Sequence, residues 1–227
     1  MEYKVYRLEF HGAVHFGRQN LEEGEHTCHA DTLFSALCQE ALKIGAGTLQ
    51  SFVQYAKEGK FLISDAFPYR QETLFLPKPM KRLEVKSRAG DSVIKKAYKK
   101  LKYIPMEQLP TYLSGEYDVL NAEKTDVLGH FEMKTSVALR GEEEPKPYRV
   151  GGYYFHPGNG LYVIAAYGEQ GAKELAEELW KSLAVSGIGG KRASGMGRFT
   201  LQQNRLPEDF CRKLETGSRG QYMSLSV

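Results

Sequence analysis

The sequence predicts an α+β domain on a βαββαβ core of the ferredoxin-like and RNA-recognition type, interrupted by a long insertion. Three observations lead there. Runs rich in β-branched and aromatic residues alternate with two stretches of helical periodicity, in the order strand, helix, strand, insertion, strand, helix, strand. A proline-punctuated basic segment separates the two halves. A glycine-rich loop stands between the last helix and the last strand.

Residues 3–10 form the first strand, and a polar loop with Gly17, Asn20 and Gly24 follows. Asp31 and Thr32 open a helix in which Leu33, Leu37 and Ala41 recur every four residues beside Phe34, Cys38 and Leu42. Either Asp31 or Thr32 can cap it, because both side chains accept bonds from first-turn N–H groups. Gly45 and Gly47 end it, a shorter helix covers 49–57, and 61–67 is the second strand. From about 74 to 147 the pattern breaks at Pro77, Pro79, Pro105, Pro110, Pro145 and Pro147, an insertion with a helix near 92–102. Strands at 148–155 and 161–167 follow, joined as a hairpin by His156-Pro157-Gly158-Asn159-Gly160. An amphipathic helix over 172–185 presents Ala172, Leu175, Ala176, Leu179, Trp180 and Leu183 on one face, and residues 198–201 close the core. Residues 1–205 thus read as one domain. Residues 206–227 read as a linker and one strand, 222–227, of an incomplete second domain.

The composition, 41% hydrophobic and 26% charged over 227 residues, is that of a globular chain and excludes disorder as the default. The N-terminus lacks the basic and apolar regions of a signal peptide, and runs such as 161–167 are too short to span a bilayer. Three cysteines without a repeated short spacing argue against a disulfide framework, so the expectation is a cytoplasmic protein with no membrane partner. Charge is uneven. Between 78 and 102, ten basic residues (Lys78, Lys81, Arg82, Lys86, Arg88, Lys95, Lys96, Lys99, Lys100, Lys102) face only Glu84 and Asp91. That block carries +8, so the rest of a chain with net charge +3 carries −5. A lone basic block on a slightly acidic protein suits a polyanion; a solvated charged helix would look the same.

The segment 187–199 is the most informative. Gly187, Gly189, Gly190, Gly195 and Gly197 fall within eleven residues, interleaved with Lys191, Arg192, Ser194 and Arg198. Glycines let backbone N–H groups approach phosphate oxygens, and arginine holds phosphate bidentately or stacks on a base. A nucleotide-binding P-loop is excluded, because Val185 stands where its first glycine belongs and Arg192 where its Ser or Thr would hold magnesium. The dinucleotide pattern fails because Arg192 replaces its last glycine.

Other clusters carry less. His26, Cys28, His29 and Asp31 have zinc-like spacing, but no second His/Cys pair follows, so no metal is assigned. His15 lacks a paired acid or nucleophile, and neither G-x-S-x-G nor H-E-x-x-H occurs, so no catalytic residue and no cofactor are assigned. The aromatics Tyr148, Tyr153, Tyr154, Phe155 and Tyr162 read as core, since they do not match the RNA-recognition strand signature.

The glycine loop resembles the C-terminal signature of the RAMP superfamily of CRISPR proteins. With His15-Phe16-Gly17, the run from His29 to Leu37, Leu76-Pro77-Lys78-Pro79 and the run from Lys99 to Pro105, the chain is similar to the guide-capping subunits of type III-A (Csm) effectors. The resemblance implies a non-catalytic subunit that holds the 5′ handle of guide RNA (crRNA). It implies partners too: the large palm-domain subunit and the first backbone subunit, which it bridges. The insertion would be a thumb across the duplex of guide and target RNA. Two ferredoxin-like domains are implied, the second truncated here. The RNA-binding residues would be Gly187, Gly189, Gly190, Lys191, Arg192, Ser194, Gly195, Gly197 and Arg198 with His15. Lys95, Lys96, Lys99 and Lys100 would meet phosphates of the duplex. The alternative is a metal-independent repeat endoribonuclease of the same superfamily, with His15 or His29 as general acid or base.

Overall fold

Alternation along β1 (Glu2–Phe10) sends Tyr6 and Leu8 to one layer and Val5 to the other, so this strand lies inside a sheet covered on both faces. The structure, a computed structural model, describes residues 1–17, 20–81, 91–122, 128–138, 145–215 and 222–226. After β1 come the short pair β2 (Phe16–Gly17) and β3 (Gly24–Glu25), then α1 (Ala30–Ile44) and α2 (Ala46–Lys57). Next are β4 (Phe61–Ile63), β5 (Phe67–Arg70), β6 (Thr73–Pro77), α3 (Asp91–Lys100), β7 (Tyr103–Pro105) and α4 (Leu109–Leu113). The chain continues through β8 (Gly129–Ala138), β9 (Lys146–Phe155), β10 (Asn159–Tyr167), α5 (Gln170–Ser186), β11 (Phe199–Asn204) and α6 (Glu208–Glu215).

The result is a mixed α+β fold on a seven-stranded antiparallel sheet. Its order is β11-β1-β10-β5-β6-β7, with β4 pairing the far end of β10. Every residue of β10 is buried. Leu161, Val163 and Ala165 face the layer of α1, α2 and α5, where Leu33, Leu37, Phe52, Leu179, Trp180 and Leu183 pack; Trp180 stacks on Tyr6 at 5.3 Å. Tyr162 and Ile164 face Val5, Leu76 and Met106 on the other side.

Five expectations need correction. The second strand divides at Ser64-Asp65-Ala66 into β4 and β5, both on β10. The start of the insertion stays in the sheet, since β6 pairs β5 and β7 pairs β6. β9 and β10 do not form a hairpin: the turn reverses the chain, with Asn159 N–H on the His156 carbonyl at 3.0 Å, but β9 pairs β8 in a separate ribbon. Residues 208–215 are helical instead of a linker, and Leu206 and Phe210 pack under the sheet. Finally, the described residues 222–226 are not a strand; the Leu225 carbonyl accepts from Asp65 N–H at 2.8 Å.

Local chemistry explains the helices. α1 begins one residue before Asp31, and its cap is remote: the Asp65 carboxylate accepts Ala30 N–H at 2.8 Å. On α3, Ile94 and Tyr98, with Leu101 just past its end, face a small core with Tyr112 and Tyr117, which leaves Lys95, Lys96, Lys99 and Lys100 outside. The Lys78 ammonium lies on the carbonyls of Tyr98 and Lys99 at 3.0 and 3.4 Å, where a cation completes a helix C-terminus. Arg82, Lys86 and Arg88 lie outside the described residues.

Between α1 and α5 the fully buried Glu40 carboxylate accepts from Lys43 at 2.6 Å, Ser182 at 2.6 Å and Ser186 at 3.1 Å. Burial alone would raise its pKa, but these bonds outweigh it and hold the carboxyl below its ordinary value of 4.5. Its contribution to stability is therefore present above that value and lost as pH falls through the lower folded value. Glu40→Gln is expected to cost about 1–3 kcal/mol at pH 7. Melting curves of variant and wild type should converge once pH falls below that lower folded value; a gap that persists at low pH would refute the ionised network.

Candidate nucleic-acid interface

Three stretches far apart in sequence meet at one cleft. The glycine loop supplies Ile188, Gly189, Gly190 and Arg192; the segment around β2 and β3 supplies His15, Phe16, Gly17, Glu25, Thr27 and Cys28; the start of α1 supplies His29, Asp31, Thr32, Ser35, Ala36 and Gln39. The cleft encloses about 620 Å³ and opens to solvent. His15 is buried at 4% exposure, and its Nδ1 donates to the Gly151 carbonyl at 2.7 Å. His29 is exposed, its Nδ1 3.2 Å from Asp65.

The loop is more tightly built than a set of bare amides. The N–H groups of Gly187, Ile188, Gly190, Ser194, Gly195 and Gly197 bond to carbonyls of Leu183, Gly197, His15, Lys191, Arg192 and Ala13. The amides of Gly189, Lys191, Arg192 and Ala193 find no backbone acceptor among the described residues. The glycines thus serve packing first: at Gly197, φ is +75° and a Cβ would lie 2.0 Å from the Ile188 carbonyl oxygen. The amide cradle expected from sequence is reduced to a few positions. Lys191 holds its ammonium 4.6 Å from the centre of the Tyr148 ring, and Arg192 donates to Gln39 at 2.7 Å. Ala193, Ser194, Gly195 and Arg198 are exposed.

Lys95, Lys96, Lys99 and Lys100 lie on α3, and none of them lines the cleft. In the cleft wall, burial pushes the Cys28 thiol up to about 12, helped by the charges of Asp31 and Asp65, so it is no nucleophile at neutral pH. Among the described residues no group of three or more His, Cys, Asp or Glu is placed to hold a metal, and no helix is long and apolar enough to cross a membrane.

No protein-family model matches the chain. It is 34% identical over its whole length to "CRISPR system Cms protein Csm4" of Streptococcus thermophilus, and spans 73% of that protein. The chain belongs to the Csm4 family. The fold agrees: it is similar to a chain of the Csm3–Csm4 subcomplex in the type III-A CRISPR-Cas interference complex. That match has a TM-score of 0.66 at 17% identity, covering 95% of this chain and 74% of that one. The Csm1–Csm4 cassette in complex with cA4 matches at TM-score 0.58 and 19% identity, covering 91% and 72%.

Sequence reasoning had singled out the loop, His15, His29 and Asp31 of this Csm4-family chain, and the cleft unites them. It missed Glu25, Thr27 and Gln39, named Ser35 only inside the run from His29 to Leu37, and read Tyr148 as core. Asp31, Ser35 and Gln39 recur every four residues, a polar stripe on a helix whose other face is core. That signal was available.

Proposed function

We propose that this chain is the non-catalytic, RNA-holding subunit of a type III-A CRISPR effector and binds the 5′ handle of guide RNA along the glycine-loop cleft. The observation that carries this reading is the convergence of three separate motifs on one cleft with Lys191, Arg192 and Arg198 around the loop. The assemblies named for its structural neighbours, Csm3–Csm4 and Csm1–Csm4, support a place between a backbone subunit and the large subunit. The central order β11-β1-β10-β4, with α1 and α5 on one face, supports a ferredoxin-like reading of the core. The exposed lysines of α3 are suited to phosphates of the guide–target duplex, and the setting is the cytoplasm. A protonated Cys28 and a His15 whose Nδ1 is committed to a carbonyl favour holding over cutting.

Changing Lys191 and Arg192 together to Ala is expected to weaken binding of a single-stranded guide RNA. The slope of log affinity against log salt should fall by up to about 1.4, as two phosphate contacts on a single strand predict. Unchanged affinity and slope in a folded variant would remove the loop from the interface. Repeat RNA should stay intact in chelator; cleavage lost on His15→Ala would establish the nuclease alternative instead.

A further inference from the structure

Resting on the RNA reading above, we infer that His15 reads a ribose 2′-hydroxyl, so that the cleft takes the sugar edge of the strand while the phosphates run past Arg192 and out over Lys191. The Nδ1 atom lies 2.7 Å from the Gly151 carbonyl oxygen and therefore carries the ring proton. In the neutral ring, Nε2 is then a hydrogen-bond acceptor. His15 is 4% exposed and lines the cleft; Nε2 has no hydrogen-bond partner among the described residues and is not one of their fully buried unpaired atoms, so it is reached from the cleft. An acceptor on the wall of an open cleft offers a fixed bond to a donor that enters.

The neighbours of the ring leave room for a close approach and little for anything larger. A Cβ on Gly17 would lie 2.9 Å from Nε2, and one on Gly190 would lie 2.6 Å from Cδ2. Two glycines from different segments thus flank the imidazole, and neither position tolerates a side chain without displacing it. The rest of the wall argues against phosphate. Asp31 lines the same cleft and repels an anion, whereas a hydroxyl donor suits it. The chemistry selected is an O–H or N–H donor. A 2′-hydroxyl fits better than an exocyclic base amine because it can also accept, and the Gly189 amide, in the lining of the same cleft, has no backbone acceptor among the described residues. The 2′-hydroxyl is the group by which a protein distinguishes RNA from DNA at a given site.

The test uses the full chain and fluorescein-labelled single strands of one handle sequence: all-RNA, all-DNA, and RNAs with one 2′-deoxy substitution at each position. Anisotropy should show that deoxy substitution at one or two positions weakens binding by about tenfold, the value of one good hydrogen bond, while the others change little. His15→Phe should bind all-RNA more weakly and abolish the difference at those positions, whereas His15→Gln, which keeps an acceptor, should retain part of it. A preference for RNA over DNA that survives in folded His15→Phe overturns the assignment. So does a wild type with no position sensitive to 2′-deoxy substitution, a result that needs no variant to fold. Loss confined to strands lacking a base amine, with every 2′-deoxy strand bound normally, assigns the acceptor to a base and also overturns the ribose reading. Failure to bind any RNA would instead overturn the proposed function, so the two failures are distinguishable.

Discussion

Gly197→Ala should cost about 3 kcal/mol and lower the thermal midpoint by about 6–12 °C in a chain of this size. The position has three constraints at once. Its φ of +75° is a left-handed conformation, which costs a non-glycine residue about 1–2 kcal/mol. The added Cβ would sit 2.0 Å from the Ile188 carbonyl oxygen. Any shift that relieves this contact strains two bonds: Gly197 N–H to Ala13 at 2.9 Å, and Ile188 N–H to Gly197 at 3.0 Å. Gly195 is the internal control. Its φ is +87°, but nothing lies within 4 Å of its would-be Cβ. Gly195→Ala should therefore show only the conformational cost, about 1–2 kcal/mol. Melting followed by circular dichroism separates the two variants, and equal shifts would mean that close approach at Gly197 is unimportant.

Trp180→Ala should be more damaging still, with an expected loss of about 3–5 kcal/mol. The side chain is fully buried on α5 and stacks on Tyr6 of β1, with ring centres 5.3 Å apart and planes 18° from parallel. It thereby joins the helix layer to the middle of the sheet. Its indole N–H finds no acceptor among the described residues, so part of the gain from burial is offset by a desolvated donor. Trp180→Phe keeps a ring against Tyr6 and removes that donor, and should lose less than half as much as Trp180→Ala. Urea unfolding of both variants decides the matter; equal losses would show that a ring kept against Tyr6 contributes nothing to stability.

What could be read from the sequence was mainly local. The periodicities of α1 and α5, the strands β1, β10 and β11, and the interleaving of glycine with cations in the loop are written within short windows. The choices that failed were those made across distance. His156 to Gly160 does encode a chain reversal, but β9 takes its partner from β8, a strand hidden in the insertion whose Phe131, Met133 and Val137 alternate on one face. The α1 cap comes from Asp65, thirty-five residues beyond the Ala30 amide that it accepts, which no helix-start pattern can reveal. The amides of the glycine loop looked available because sequence does not show that Ala13 and His15 would spend two of them. The cleft follows the same rule: its members were recognisable one by one, while their meeting depended on the sheet.

The β8–β9 ribbon meets the rest of the molecule through β9, from its root as far out as Tyr148 under the Lys191 ammonium. At the root Val14 and Tyr153 exchange both of their N–H···O bonds at 2.9 Å, Gly151 N–H bonds Leu21 at 2.8 Å, and His156 N–H bonds Leu128 at 2.9 Å. Ten residues of extended strand reach roughly 33 Å, so a few degrees of rotation at these stitches becomes a displacement of ångströms at the outer end. The ribbon is a lever arm steadied toward its outer end by the contact of Lys191 with Tyr148. Its bearing is set close to Gly151, where a Cβ would collide with the Glu22 carbonyl at 2.2 Å.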